Sequence, residues 1–229
     1  MSRILSGVRA SGDLHLGNYL GAIRQWIELQ DQHDVFFMVA DLHAITTPYD
    51  VKTLPATVRQ TIIDFLAAGL DPKKATVFIQ SHVPAHSELM WLLNTITPVG
   101  ELQRMIQFKE KSDANPDFQN AGILNYPILQ AADVLAYKPV AVPVGEDQVQ
   151  HVELSRDLAK KFNRLFGHTF PEPQAMLTKG KRIMDLQHPE KKMSKTVGGG
   201  VLLADDEATI ADHLKKAVTS SEPRVVREA

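Results

Sequence analysis

A run of six consecutive apolar residues, at positions 35–40, is the feature that most limits the fold of this chain. A strand with one face in water alternates apolar and polar side chains, so a continuous run indicates a strand that is buried on both faces of a parallel sheet. Two similar segments lie on either side of it, at residues 4–8 and 76–80, and segments with helical spacing separate the three. This alternation predicts an α/β fold with a doubly wound parallel sheet.

Helical spacing fills the gaps between these strands. Apolar residues recur from Leu16 to about residue 32 and again over residues 58–66, where Gly69 is suited to end the helix. The same patterns predict a mostly helical insertion, a strand and two further helices at residues 87–137, 140–144, 148–166 and 207–218. The three glycines at residues 198–200 are expected to form a hinge.

Composition and charge limit the classes of protein to which the chain can belong. The chain has 25 basic and 27 acidic residues among its 229, so net charge predicts no general affinity for polyanions. It has no cysteine, which excludes disulfides and thiolate metal sites and fits a reducing cytosol. The nine histidines are scattered, so no metal site is expected within the protein. Because no apolar run is long enough to span a bilayer, we expect a cytoplasmic protein without a membrane partner.

A glycine-containing turn follows the first predicted strand. Ligands of open parallel sheets bind beyond the carboxyl ends of the strands, which places residues 9–12, 41–44 and 81–82 at one edge. Phosphates favour helix N-termini, where free N–H groups and the helix dipole point at them. Gly17 would let the backbone approach such an anion, and His15 can donate a hydrogen bond to it. An ordinary strand-to-helix turn with a surface histidine stays open as the alternative.

Two separated segments together resemble the HIGH and KMSKS signatures of the class I aminoacyl-tRNA synthetases, namely His15-Leu16-Gly17-Asn18 and Lys192-Met193-Ser194-Lys195-Thr196. The resemblance runs through nearly the whole chain and is closest to the tryptophanyl family. The other matching stretches are residues 41–46, 100–102, 107–112, 126–127, 131–135 and 142–148. The resemblance implies a Rossmann-type catalytic domain that joins L-tryptophan to ATP and then to tRNA(Trp).

The resemblance also implies how the ATP half of the site works. The amino acid carboxylate attacks the α-phosphate of ATP in line and pyrophosphate leaves, so positioning and charge neutralisation supply most of the catalysis. Lys192 and Lys195, together with Mg²⁺, would balance the charge on the pyrophosphate, and His15 and Lys111 would assist as catalytic residues. The implied ATP-binding residues are Arg9, Ala10, Ser11, Gly17, Asn18, Gly145, Glu146, Asp147, Ile183, Lys192, Met193, Ser194, Lys195 and Thr196.

The segment Gly145-Glu146-Asp147 follows a predicted strand at its carboxyl end, where a ribose would lie. A carboxylate there accepts hydrogen bonds from the two ribose hydroxyls. By resemblance, Asp147 and the Gly145 backbone hold the ribose, and the backbone of Ile183 contacts adenine. A second role for Asp147, as the N-cap of the following helix, stays open beside the first.

Asp133 is the candidate for amino acid selection. It lies in the otherwise apolar stretch 128–135, where a carboxylate needs a partner or is destabilised by desolvation. An indole N–H is a donor only, and a site built around that bond rejects analogues that lack it. An aspartate that caps a local helix is the alternative. The resemblance puts Asp133 against the ring and implies these further tryptophan-binding residues: Tyr126, Gln148, His43, Gln130, Val142 and Val144.

Some of these positions depart from the family pattern. Arg9 stands where many relatives carry glutamine, and its planar guanidinium is suited to pair with the substrate carboxylate or a phosphate. Ala10 replaces a proline, and Gln130 occupies a pocket position that is often methionine. Thr196 replaces the last serine of the second signature and keeps its hydroxyl.

The resemblance also predicts the organisation of the chain. Bacterial-type relatives continue into a helical domain that reads the anticodon. We therefore expect a catalytic domain over residues 1–196, followed over residues 197–229 by a linker and the start of a truncated helical domain. Efficient charging of tRNA is doubtful in so short a form. Relatives form symmetric dimers, so a homodimer is expected, with weak support from the apolar segment at residues 90–93.

Two other functions stay open. The tyrosyl synthetases share the fold and both signatures, although the stretch Ala131-Ala132-Asp133 favours tryptophan. A shortened synthetase-like chain could instead be a binding or regulatory module. The presence of Lys192, Lys195, Asp147 and His15 argues against that second alternative.

Overall fold

The computed structural model of the chain describes residues 2–10, 12–106, 108, 120–177, 183–191, 193 and 200–219. Within these residues, five parallel strands form one sheet in the order β3-β2-β1-β4-β5. The strands are β1 (Arg3–Arg9), β2 (Asp34–Ala40), β3 (Ala75–Ile79), β4 (Ala141–Val144) and β5 (Gln174–Leu177). The predicted doubly wound parallel sheet is confirmed.

The helices cover both faces and one end of this sheet. The described helices are α1 (Leu16–Asn18), α2 (Arg24–Leu29), α3 (Asp41–Ala44), α4 (Leu54–Ala67), α5 (Ala85–Asn94), α6 (Val99–Gln103), α7 (Ala121–Tyr137), α8 (Val149–Phe166) and α9 (Glu207–Lys215). A π-helical turn, Tyr19–Ile23, joins α1 to α2. Two 3-10 turns, Gln80–His82 and Glu146–Gln148, follow β3 and β4.

Most predicted elements agree with these boundaries, and Gly69 ends α4 with a φ of +112°, as expected of a C-terminal glycine. The first helix was predicted to reach residue 32, but α2 ends at Leu29. β5 was not predicted, because its run of three apolar residues, at positions 175–177, is too short to indicate a strand. The predicted hinge at residues 198–200 includes residues outside the described part of the chain.

The order of the strands explains where a ligand can enter. The chain runs outward from β1 to β2 and β3, and then returns to the other side of β1 as β4. Such a switch point opens a crevice at the carboxyl ends of the two strands that flank it. β1 and β2 are paired along their whole length, whereas β1 and β4 are in register only at Ile4 and Ala141. Further along, the Ser6 hydroxyl donates to the Pro143 carbonyl at 3.2 Å and links the two strands.

Two apolar layers fix the sheet between the helices. On one face Trp26 stacks on Phe37, with ring centroids 4.7 Å apart, and meets the edge of Phe65. On the other face Val134 and Val152, from α7 and α8, pack against strand residues of β1 and β4. A third cluster joins α5, α7 and α8 to each other. The strand ends that form the crevice are therefore held by packing on both sides.

Lys138, the residue after α7, is exposed and adopts the left-handed conformation, with φ +50° and ψ +48°. Its Cβ is strained there, and a glycine is not, although glycine gains entropy in the unfolded chain. We expect Lys138→Gly to raise the free energy of unfolding by about 0.5–1 kcal/mol in urea titrations. Lys138→Ala keeps the Cβ and is the matched control. A glycine variant no more stable than the alanine variant would contradict this account of the helix end.

Candidate active site

A cavity of about 510 Å³ opens at the switch point between β1 and β4. Its walls come from β1, β4, α7 and the turns that follow β2 and β4. The predicted site residues that line it are Arg9, Asn18, His43, Tyr126, Gln130, Asp133, Val142, Val144, Gly145, Asp147 and Gln148. The structure thus gathers residues from distant parts of the sequence around one space.

The other predicted residues lie either elsewhere in the structure or outside the described part of the chain. His15, Gly17, Ile183 and Met193 lie in and around the turn before α1, and Ala10 lines a neighbouring shallow groove. Glu146 lies in the 3-10 turn after β4. Six predicted residues lie outside the described part of the chain, namely Ser11, Lys111, Lys192, Ser194, Lys195 and Thr196.

Asp133 is buried inside α7, with a relative exposure of 2%, and its carboxylate accepts hydrogen bonds from three side chains. Oδ1 accepts from Gln80 Nε2 and from His86 Nδ1, each at 2.7 Å, and Oδ2 accepts from His43 Nε2 at 2.7 Å. Burial opposes ionisation, but the hydrogen bonds from His43 and His86 outweigh it and hold the pKa of Asp133 below its usual value. The cavity therefore has a buried anion in its wall, and this aspartate does not cap a helix.

The donors to Asp133 are themselves oriented by further contacts. Gln80 Oε1 accepts from the Leu42 backbone N–H at 3.1 Å, which fixes which end of the amide faces the carboxylate. His86 Nε2 lies 3.0 Å from the Tyr137 hydroxyl. Burial and the nearby Asp133 charge raise the pKa of Tyr137 to about 12. Because a carboxylate can only accept, His86 Nδ1 carries the proton of the hydrogen bond to Asp133 Oδ1, and the Tyr137 hydroxyl holds the other end of the ring.

Polar side chains line another part of the cavity wall. The Gln148 side chain donates to Asp147 Oδ2 at 2.9 Å and accepts from Gln130 Nε2 at 3.4 Å. A Cβ added to Gly145 would lie 2.8 Å from Asp147 Oδ1, so this carboxylate rests against the glycine backbone. The hydroxyl of Tyr126 lies 3.2 Å from His151 Nε2. These groups can bind hydroxyl, amine and carboxylate groups of a ligand.

The turn before α1 is closed by its own hydrogen bonds. The His15 N–H donates to Asn18 Oδ1 at 3.0 Å, and the Asn18 N–H donates to the His15 carbonyl at 2.8 Å. A Cβ added to Gly17 would lie 2.9 Å from His15 Nδ1 and 3.7 Å from Ile183 Cβ. The imidazole therefore covers the glycine, and Ile183 lies next to Gly17. Only a glycine fits between them without a shift of the ring.

Met193 of the second signature and the residues that follow this signature are held near this turn. The N–H of Met193, a buried residue, donates to the Ile183 carbonyl at 2.9 Å. The Leu16 N–H donates to the Val201 carbonyl, and the Leu203 N–H donates to the Leu14 carbonyl, both at 2.8 Å. The expectation that this helix N-terminus presents free amides is thus wrong for Leu16, whose N–H is already bonded. The contacts keep the flanks of residues 194–199 beside the first signature.

Several residues of the site were not predicted from the sequence. Gln80 and His86, which donate to Asp133, are fully buried. The sequence placed only their neighbours, residues 81 and 82, at this edge. Gly7, Trp26 and Met38, unlike the two donors, line the cavity. A glycine inside a strand is a sign of close approach, and a Cβ at Gly7 would lie 2.8 Å from the Met38 carbonyl oxygen. That signal was present in the sequence.

The described residues contain neither a metal-binding cluster nor a membrane-spanning helix. Within that part of the chain, no group of three or more histidine, aspartate or glutamate side chains is arranged to hold a metal ion. No helix among the same residues is both long and apolar enough to cross a bilayer.

A parallel sheet with a polar cavity at its switch point and a glycine–histidine turn beside it defines a nucleotide-binding α/β protein. The sequence matches the family described as tRNA synthetases class I (W and Y) over residues 1–228. It is 53% identical to a tryptophan--tRNA ligase of Caldanaerobacter subterraneus subsp. tengcongensis, over 98% of this chain and 70% of the relative. It is 50% identical to tryptophan--tRNA ligase 2 of Streptomyces avermitilis, over 96% of this chain and 67% of the relative.

Solved structures of synthetases are similar to this chain as well. Tryptophanyl-tRNA synthetase of Campylobacter jejuni, complexed with ADP and tryptophan, superposes with a TM-score of 0.87 at 35% identity, over 96% of this chain and 68% of that one. Tyrosyl-tRNA synthetase of Archaeoglobus fulgidus, at 21% identity and a TM-score of 0.79 over 96% of this chain and 66% of that one, shares the fold. The chain belongs to the tryptophan and tyrosine family of class I aminoacyl-tRNA synthetases, and its identities group it with the tryptophan--tRNA ligases. It spans about two thirds of the length of these relatives.

The buried charge of Asp133 gives the stability of the protein a defined pH dependence. The folded-state pKa of Asp133 is lowered, so its charge stabilises the fold above the ordinary pKa of about 3.9 and stops doing so as pH falls through the folded-state pKa. Asp133→Asn removes the charge and leaves buried donors unpaired. We expect it to lower the free energy of unfolding at pH 7 by about 3–5 kcal/mol.

Urea titrations at pH 7, 5 and 3.5 test this expectation. The gap between the wild type and Asp133→Asn should be full at pH 7 and 5 and should narrow at pH 3.5. Asp31→Asn, which removes an exposed partner of Lys74, is the control and should change stability little at any pH. A gap for Asp133→Asn that is absent, or that stays constant down to pH 3.5, would contradict the assignment of a buried anion.

Proposed function

We propose that this chain activates L-tryptophan with ATP, forming tryptophanyl-adenylate and releasing pyrophosphate, and then transfers tryptophan to tRNA(Trp). One observation carries the proposal: an ionised, buried carboxylate, Asp133, lies in the wall of a cavity that also contains Asp147. An indole N–H is a donor that a buried acceptor of this kind selects. Ribose hydroxyls suit the second, more exposed carboxylate.

The tryptophan half of the cavity contains the groups that such a substrate needs. The indole N–H would donate to Asp133, while Tyr126 and Gln148 would bind the ammonium and carboxylate groups of the amino acid. His43 and Gln130 line the same cavity, and Val142 and Val144 of β4 supply apolar wall for the ring. An indole bound in this way would place its carboxylate toward the nucleotide part of the cavity.

The ATP half would lie toward the turn before α1. Asp147 and the Gly145 backbone would hold the ribose, with Glu146 beside them, and the Ile183 backbone would contact adenine. His15, Gly17 and Asn18 lie at the turn where the phosphates would pass. Arg9 is the one lysine or arginine among the described cavity residues. Its guanidinium donates to Thr47 Oγ1 at 3.5 Å and would also be close enough to pair with a carboxylate or phosphate of the substrates.

The reaction proposed for this site needs positioning more than covalent help. The tryptophan carboxylate would attack the α-phosphorus in line with the leaving pyrophosphate. His15 and the three lysines Lys111, Lys192 and Lys195 would stabilise the charge that grows on the leaving group. Ala10, Ser11, Met193, Ser194 and Thr196 would complete the ATP site around them.

Mg²⁺ would accompany the nucleotide. This ion keeps several waters and is usually held by one or two carboxylates together with substrate phosphates. The ion would neutralise charge on the β- and γ-phosphates beside the lysines.

Transfer to tRNA and a cytoplasmic site of action belong to the same proposal. The relatives of this chain are named as tRNA ligases, and the chain spans about two thirds of their length. Activation would use the cavity described above together with Lys111, Lys192 and Lys195, whereas a tRNA is bound over a much larger surface. We therefore expect the two steps to be separable, with adenylate formation measurable in the absence of tRNA(Trp). The domain division at residue 196 is proposed on the same grounds.

Pyrophosphate exchange tests the activation step. With ATP and Mg²⁺, the purified chain should exchange labelled pyrophosphate into ATP in the presence of L-tryptophan, because the adenylate forms reversibly. L-tyrosine and L-phenylalanine are the controls and should give far lower kcat/KM values. A preference for tyrosine would indicate the tyrosyl function, and no exchange at saturating substrates would indicate a binding module. Charging of tRNA(Trp), measured beside exchange, tests the transfer step, and no charging by a chain that exchanges would contradict that step.

We also propose that the chain forms a homodimer. Four large apolar side chains within a short stretch are exposed in the single chain, with Trp91 at 70% and Leu92 at 49% on α5, Val99 at 57% on α6, and Ile106 at 59%. Such a concentration of exposed apolar area is typical of protein interfaces, and tryptophan is enriched in them.

Light scattering tests the dimer. The wild type should have about twice the 25.4 kDa mass of the chain. Trp91→Glu buries an unpaired charge in the interface and should shift the mass toward that of one chain at micromolar concentration. Val51, equally exposed at 70%, lies elsewhere, so Val51→Glu is the matched control. A single-chain mass for the wild type would contradict the proposal.

A further inference from the structure

The carboxylate of Asp133 has about four acceptor positions, two on each oxygen. Gln80 Nε2 and His86 Nδ1 both donate to Oδ1 and fill its two positions. His43 Nε2 donates to Oδ2 and fills one of its two. Among the described contacts, one acceptor position is therefore left, and it is on Oδ2.

Burial separates the two oxygens further. Gln80 and His86 are both fully buried and do not line the cavity, so Oδ1 faces the protein interior. The His43 side chain is 13% exposed and lines the cavity together with Asp133. A ligand in the cavity therefore meets the Oδ2 side of the carboxylate.

Further contacts fix which atom of each donor, Gln80 and His86, faces Oδ1 of Asp133. The Leu42 N–H binds the oxygen end of the Gln80 amide, so the nitrogen end must face Asp133. The Tyr137 hydroxyl lies 3.0 Å from Nε2 of His86 and holds that end of the ring, so Nδ1–H faces Asp133 Oδ1, which can only accept. Both contacts come from groups outside the cavity, and together they fix the plane of the carboxylate.

We propose that His86 and Gln80 are positioning residues that fill Oδ1 of Asp133 and leave a single acceptor position, on Oδ2, for the indole N–H of the substrate. This inference rests on the proposed function, because it assumes that tryptophan is the ligand. Neither residue touches the substrate. Their effect is on selectivity: without one of them, the carboxylate gains a second open acceptor position and is free to rotate, so its contact with the indole weakens.

The test compares L-tryptophan with β-(3-benzothienyl)alanine, in which sulfur replaces the indole N–H and the shape is nearly kept. Pyrophosphate exchange gives the kcat/KM ratio of the two substrates. In His86→Leu the ratio should fall by about 10-fold, mainly through a higher KM for tryptophan, because only tryptophan uses the hydrogen bond. His86→Asn, whose amide nitrogen replaces Nδ1–H, should restore the ratio to within about 3-fold of the wild type. His168→Leu, at an exposed histidine, is the matched control and should leave the ratio unchanged.

The outcomes separate this inference from the function on which it rests. A wild type without tryptophan-dependent exchange overturns both. A wild type that exchanges, together with a His86→Leu variant that keeps the wild-type ratio, overturns the positioning role alone. General destabilisation would lower kcat/KM for both substrates equally, and that outcome also counts against the proposal. If His86→Leu does not fold, Gln80→Met, which is similar in size and lacks the donor, should show the same fall in the ratio.

Discussion

The hydrogen bonding of one buried anion, Asp133, organises the site. An ionised carboxylate without partners is very costly in an apolar interior, so a chain that buries one must surround it with donors. Here the donors come from three separate elements: His43 from α3, Gln80 from the turn after β3, and His86 from α5. The anion therefore ties α7 to the carboxyl ends of β2 and β3. Removing any donor would leave both a packing defect and an unpaired acceptor.

The sheet supplies the frame for this arrangement. The switch in strand order between β1 and β4 opens the cavity, and the Ser6 hydroxyl links these strands where their ladder is interrupted. The loops after β2 and β3 are joined by Asp41, whose carboxylate accepts from the Ser81 backbone N–H at 2.9 Å. Apolar layers on both faces hold the strands, so the polar groups that follow them are fixed in position before any ligand arrives. A preorganised site of this kind loses little entropy on binding.

The sequence predicted the frame better than the contacts within it. The apolar run in β2 and the spacing of the flanking helices were enough for a parallel sheet, because burial on both faces leaves a clear pattern. Asp133 was singled out because a carboxylate among apolar residues needs partners. Its partners could not be predicted, because His43, Gln80 and His86 are 90, 53 and 47 residues away and meet it only in the folded chain. The Leu16 amide was misjudged for the same reason, since Val201 binds it from a distant segment.

The most direct measurement of the central claim is a crystal structure of the chain with L-tryptophan bound. The account predicts an indole nitrogen about 3 Å from Asp133 Oδ2, with Gln80 and His86 both still donating to Oδ1. An indole nitrogen beyond hydrogen-bond distance of this carboxylate would contradict the account. So would an indole bound to Oδ1 in place of Gln80 or His86.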